Sequence, residues 1–210
     1  AIEPWTEIPK SNGNKWETYL AHDFGSSAPS VTYIIAKSYG GEYKGVYYPR
    51  DSLILVDELA TAKRDRPNEG LGWTVPILSE EIIQMCKRWS IRPEGVADDA
   101  IFAKTGHGAG SIADEFSRAG ILFNPAKKAD RLTGWNIMRR LLADAGKPDV
   151  CGLYISRSCN YFWETVPYIG RDLRRVEDVD STSADHAADA VRYGCLRNKN
   201  ESKLVKLLGI

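Results

Sequence analysis

The sequence predicts an α/β fold: a central mixed β-sheet whose first three strands are antiparallel, with α-helices on its faces. Three observations carry this. The first quarter of the chain holds short β-branched and aromatic runs with period-two alternation, joined by turns. After Pro76 the apolar spacing becomes helical, with brief apolar runs between the helices. With 210 residues and 43% hydrophobic composition, the chain suffices for one substantial core and is short for two full domains.

In chain order, residues 1–14 read as an irregular lead-in with a turn at Ser11-Asn12-Gly13-Asn14. Lys15 to Asp23 alternates through Trp16, Thr18 and Leu20, the mark of a strand that ends at Phe24-Gly25-Ser26-Ser27. Val31–Ala36 and Leu53–Asp57 give the second and third strands, and their succession suggests an antiparallel meander. Ile77, Leu78, Ile82, Met85 and Trp89 lie near one helical stripe, with Pro76 suited to the first turn. Gly95–Ile101 reads as a buried strand. Ser111, followed by Asp114 and Glu115, caps a helix that stops at Gly120. Ile121–Phe123 is a strand, Leu132–Ala145 a helix, Gly152–Ser156 the last strand, and 159–169 and 183–196 are helices. One folded unit is expected over 15–197, with 198–210 a charged C-terminal tail ending in a short apolar helix.

Several classes are set aside by composition. Lys plus Arg equals Asp plus Glu at 28 each, so there is no overall basic field, and any nucleic-acid contact must come from local patches. Cys86, Cys151, Cys159 and Cys195 form no Cys-x-x-Cys pair and read as reduced core cysteines. No stretch approaches the ~20 apolar residues of a membrane span, and no signal peptide opens the chain. The start on Ala1 is what a segment excised from a longer protein would show.

Three acids carry the chemistry. Asp23 closes the first strand. Asp98 sits in Val-Ala-Asp-Asp-Ala, where a carboxylate in a buried strand is costly unless paired or metal-bound. Asp189 lies in Asp185-His186-Ala-Ala-Asp189, so that 185, 186 and 189 share one helical face with no lysine at i+4. Each alone also reads as an ordinary turn, strand-end or surface acid. Two strand-end acids and one helix acid can meet at one end of a sheet. Converging carboxylates repel unless cations lie between them, and an oxygen-only donor set suits two Mg²⁺ or Mn²⁺ ions. On this reading Asp189→Asn is expected to stabilise the metal-free protein by about 1 kcal/mol.

Asp23 at a first strand end, Ala97-Asp98 on a later strand and the His186-x-x-Asp189-Ala-x-Arg-Tyr helix resemble the three acidic motifs of the nuclease domain of tailed-phage large terminases. Gly110-Ser-Ile-Ala-Asp-Glu-Phe and Gly120-Ile-Leu-Phe-Asn-Pro-Ala-Lys-Lys are also similar to that family. The resemblance covers most of 15–197 and implies a ribonuclease H-like fold and a metal-dependent endonuclease that cuts concatemeric viral double-stranded DNA. It implies Asp23, Asp98 and Asp189 as metal ligands, His186 as a nearby metal or phosphate contact, and Asp185 as a supporting acid. It further implies an ATPase domain, a small terminase subunit and a portal protein as partners, in the host cytoplasm. If the acids gather as expected, Lys104, Lys127, Lys128 and Arg131 are candidates to border the DNA.

The chain lacks G-x-x-x-x-G-K-[ST], so it is not expected to hydrolyse ATP, and Gly106–Gly110 is glycine-rich without the lysine. That loop reads either as a flexible turn or as a backbone contact to a DNA phosphate. Other readings remain open: a different ribonuclease H-like nuclease, an actin or sugar-kinase type ATP-binding domain on the strength of Asp23-Phe-Gly-Ser-Ser, or a non-catalytic docking module.

Overall fold

The computed structural model describes residues 1–104, 110–126, 131–170, 178–179 and 183–208, with side chains through 197. The Ser11–Asn14 turn is a hairpin. Asn12 and Gly13 take positive φ of 51° and 81°, as a two-residue hairpin turn with the strand's own twist requires, and close β1 (Lys10–Ser11) on β2 (Asn14–Lys15). The lead-in is tied down: Ile2 N donates to Ile155 O and Arg157 N donates to Ile2 O, both at 2.9 Å. Ile2, Trp5 and Ile8 are buried, with Trp5 edge-on to Trp16, Tyr43 and Tyr48.

The strands β3 (Glu17–Asp23), β4 (Val31–Lys37) and β7 (Leu53–Ala60) form the expected antiparallel meander. Between the last two lies a hairpin of β5 (Gly41–Tyr43) and β6 (Val46–Tyr48), and after them one of β8 (Ala62–Lys63) and β9 (Arg66–Gly70). Strands this short carry no readable alternation, and none of the four was expected. The chain continues through α1 (Val75–Trp89), β10 (Glu94–Ala97), a 3-10 turn at Asp99–Phe102, α2 (Ile112–Arg118), β11 (Leu122–Pro125), α3 (Arg131–Asp144), β12 (Leu153–Ile155), α4 (Asn160–Thr165), a second 3-10 turn at Val166–Tyr168 and α5 (His186–Leu208).

Six strands make the central sheet in the order β11-β10-β3-β4-β7-β12. Strand β10 runs parallel to β3 and β11, and β12 runs parallel to β7. The carboxyl ends of every strand except β4 therefore share one edge, where open α/β sheets place their ligands.

Alternation along β3 decides what that edge holds. Tyr19 and Ala21 join Tyr33, Ile35, Leu53 and Leu55 under α3, α4 and α5, whereas Leu20 joins Ile34, Ile54 and Val56 under α1 and α2. Strand periodicity sends Asp23 to the first face and His22 to the second. Helix α5 lies close against the sheet because Gly194 has no Cβ: one built there would stand 2.3 Å from Ile35 Cδ1. The Tyr19 hydroxyl donates to Gly194 O at 3.0 Å, and Ala187, Ala190 and Val191 are fully buried at the same contact.

Two sequence expectations shift. Strand β10 stops at Ala97, so Asp98 lies beyond the strand and caps the 3-10 turn, its Oδ1 accepting from Ala100 N. Helix α5 continues unbroken to Leu208, through the stretch that composition suggests as a tail. All four cysteines are free, and Cys86, Cys159 and Cys195 are buried. Among the described residues no helix is long and apolar enough to cross a membrane.

Candidate functional site

Asp23 stands at the end of β3, 7% exposed. Its Oδ2 lies 3.0 Å from Nδ1 of His186, the first residue of α5. Burial pushes the Asp23 carboxyl up to about 6; the His186 bond opposes the rise, and the carboxylates of Asp189 and Asp98 add to it. The His186 imidazole is raised in turn by its bond to Asp23, against the effect of burial, with Asp185 and Asp189 assisting. Asp185 is raised by burial and then by Asp189. Asp23 thus lies within the fields of His186, Asp189 and Asp98, and Asp185 within those of Asp189 and His186.

Arginines hold two of these acids. Arg192 donates from Nε and Nη2 to Asp189 Oδ1 at 3.0 and 2.9 Å. Arg131, at the start of α3, donates from Nη2 to Asp185 Oδ2 at 3.2 Å and pairs through Nε with Asp178 at 3.3 Å. Arg131 therefore reaches the acidic group itself, with its side chain 40% exposed. Lys104 is exposed beyond the 3-10 turn. Lys127 and Lys128 lie outside the described residues, as do residues 105–109 of the glycine-rich stretch. Its last member, Gly110, precedes a reciprocal cap: Ser111 N donates to Asp114 Oδ2 at 2.7 Å, and Asp114 N donates to Ser111 Oγ at 3.1 Å. The N–H groups of Ser111 and Asp114 are thus used within the chain.

Sequence reasoning passed over three residues. Arg192 stands at i+3 from Asp189, a spacing that pairs charges on a helix as i+4 does. Glu58 lies on β7 beyond the expected strand end. It accepts from the Tyr33 hydroxyl at 2.7 Å and from Tyr161 N and Phe162 N at 2.7 and 2.9 Å, so it anchors the first turn of α4. Burial raises its carboxyl. His22 is fully buried with Nδ1 2.8 Å from Thr32 Oγ1, its ring stacked on Phe123 and edge-on to Phe116. Burial lowers it to about 3.

The loop after Asp23 has no open phosphate cradle at its glycine. Gly25 N donates to Ser30 Oγ at 3.0 Å, and the Ser30 hydroxyl donates back to Gly25 O at 2.9 Å. Gly70 N donates to Ser27 O at 2.7 Å, clasping β9 onto the same loop. This counts against a nucleotide-binding reading of Asp-Phe-Gly-Ser-Ser.

The donor set fits a hard divalent cation in kind: carboxylate oxygens of like charge, gathered where burial already strains Asp23. The donors are not drawn to ligating distance around one point. Among the described residues, no group of three or more His, Cys, Asp or Glu side chains is arranged to hold a metal ion.

No protein-family model matches the chain, and no curated sequence matches it. Solved structures do. The nuclease domain of the P22 large terminase superposes with a TM-score of 0.63 at 15% identity, over 94% of this chain and 87% of that one. The large terminase of a thermophilic bacteriophage, in complex with ADP, gives 0.57 at 18% identity over 90% of this chain. This chain spans only 41% of that ADP-bound protein. The large terminase nuclease of the thermophilic phage G20c, with bound cobalt, gives 0.51 at 10% identity over 92% of each chain. At these identities the likeness is one of architecture: this chain has the ribonuclease H-like fold of phage large-terminase nuclease domains.

Proposed function

We propose that this chain is a metal-dependent endonuclease domain that cuts viral double-stranded DNA during genome packaging. What supports the reading is the Asp23–His186 pair at the carboxyl edge of the sheet in this fold, with Asp189 and Asp98 near enough to raise the Asp23 carboxyl. Asp23, Asp98 and Asp189 are the residues that would hold two Mg²⁺ or Mn²⁺ ions, and the cobalt bound to the G20c nuclease supports a divalent cation in this architecture. Such ions, when bound, supply the charge stabilisation that phosphodiester hydrolysis needs. The chain's own part is to orient the acids. His186 fixes Asp23 through Oδ2, and Arg192 fixes Asp189. Lys104, Lys127, Lys128 and Arg131 are the proposed contacts to the DNA backbone. An ATPase domain, a small terminase subunit and a portal protein are the proposed partners, in the host cytoplasm, and the large terminase in complex with ADP supports the first.

The test is conversion of supercoiled plasmid with Mn²⁺, Mg²⁺ or EDTA, using the wild type, Asp23→Asn, Asp98→Asn and Asp189→Asn. Cutting with Mn²⁺ or Mg²⁺ only, lost in all three variants, is the expected result. Cutting in EDTA, or undiminished cutting by a folded variant, would remove the metal or that carboxylate from the reading.

A further inference from the structure

Arg192 is built into the fold in an unusual way for a charged side chain on a helix surface. Its side chain is 9% exposed. Its guanidinium carbon lies 4.6 Å from the centroid of the Tyr193 ring and 5.3 Å from that of Trp135. Trp135 is itself fixed by a bond from Nε1 to Asp178 Oδ1 at 3.2 Å. The aliphatic stem crosses α3 at Gly134, where a built Cβ would stand 2.7 Å from Arg192 Cγ and 2.8 Å from Cδ. So a glycine inside a helix clears the path, two aromatic rings confine the head, and among the described residues its hydrogen bonds go to one atom. Both donors go to Asp189 Oδ1, and Oδ2 is not engaged by this arginine.

We propose that Arg192 is the positioning residue of the acidic site, holding Asp189 by one oxygen in a fixed rotamer so that the carboxylate enters the site as a ligand through the other. The inference rests on the nuclease reading above and adds a residue to it. A surface ion pair would contribute little and tolerate exchange. Here the planar fork, confined between rings, makes lysine a poor substitute, because an ammonium offers neither the two-donor fork nor the flat stacking face. Residues that orient a metal's ligands typically change metal affinity or activity roughly 10–100-fold when replaced. The positive charge by itself works the other way, since it weakens a neighbouring cation's attraction to Asp189. Positioning and mere charge compensation therefore predict opposite signs.

The experiment is calorimetric titration of the protein with Mn²⁺, beside thermal melts in EDTA and the plasmid assay. The proteins are the wild type, Arg192→Lys, Arg192→Met and Gly134→Ala. Gly134→Ala keeps every charge and displaces only the arginine stem. Positioning predicts that Arg192→Lys and Gly134→Ala each weaken Mn²⁺ binding by about 10-fold or more while melting within a few degrees of the wild type. Arg192→Met should bind Mn²⁺ no better than Arg192→Lys. Wild-type affinity in Arg192→Lys or Gly134→Ala, or tighter binding in Arg192→Met, would overturn the proposal and leave the nuclease reading standing. If Arg192→Lys fails to fold, Gly134→Ala decides the matter by the same criterion. A wild type that binds no Mn²⁺ and cuts nothing would overturn both together.

Discussion

His22 and Asp23 are neighbours in sequence on one strand, and they live in different media. His22 faces α1 and α2 in a dry aromatic box of Phe24, Phe116 and Phe123, and is kept neutral. Asp23 faces α5 among four other ionisable groups of the acidic edge. Burial acts on both, disfavouring the charged form in each. On one face only a backbone bond to Val31 opposes it; on the other a histidine and two arginines gather beside the acids. Both faces carry a hydrophobic core, and the acidic edge lies on one of them only.

The largest effect that tests this contrast is catalytic. Asp23→Asn is expected to lower plasmid cutting by about 1,000-fold or more, several kcal/mol of barrier, as loss of a metal-holding carboxylate implies. His22→Phe, one residue away, should keep the cutting rate within about tenfold while leaving Thr32 without its ring partner. Equal loss in both variants would erase the distinction between the faces.

Next is the pH dependence of stability in EDTA. Folded Asp23 keeps its proton up to about 6, whereas the unfolded chain loses it near about 4. Its contribution is present below about pH 4 and is lost as pH rises to about 6. Folded His22 stays neutral down to about 3, whereas the unfolded chain protonates near about 6.5. It therefore costs stability as pH falls from about 6.5 toward about 3. The two slopes oppose each other at about 1 kcal/mol per pH unit each between about pH 4 and 6. Denaturant midpoints should accordingly rise with pH more steeply in Asp23→Asn than in wild type, and less steeply in His22→Phe. Parallel slopes in all three proteins would refute the assignment of the two environments.

Asp189→Asn sharpens the comparison within the charged face. Repulsion among carboxylates, all that the sequence suggests, makes this variant slightly more stable without metal. Arg192 reverses the expected sign, because Asn leaves a guanidinium that is 9% exposed without its counter-charge. The metal-free variant should be about 2 kcal/mol less stable, a moderate case of breaking a partly buried pair. Urea midpoints in EDTA decide between the signs.

The smallest effect concerns the DNA contacts. Lys104→Ala should weaken duplex binding a few-fold, uniformly across sequences, and flatten the salt dependence by about one phosphate contact. A change confined to one sequence would point to base contact instead.

The sequence reading reached the sheet because β3, β4 and β7 are long enough to show alternation, and α1 and α3 long enough to show helical stripes. It could not reach β5, β6, β8 or β9, whose strands of two to five residues take their pairing from turns. Asp23 is readable as a strand-end acid and Asp189 as one of three polar residues on a helix face, and β3 and β10 running parallel bring Asp23 and Asp98 toward the same edge; the burial expected of Asp98 is not found, because β10 stops at Ala97. Arg192 is not announced by the absence of a lysine at i+4, because the partner of Asp189 is an arginine at i+3. His22 and Glu58 are hidden for a different reason. What matters in each is the tertiary partner, Phe123 or the first turn of α4, and nothing local in the sequence announces it.

Gly134 gives the site a hold over how this sequence can drift. A glycine inside a helix is the position that a search for better helix formers would change first, with alanine worth about 1 kcal/mol in propensity. Here that improvement would push against the Arg192 stem. Selection for heat resistance alone should therefore gain little from alanine at Gly134, and selection for DNA cutting should discard it.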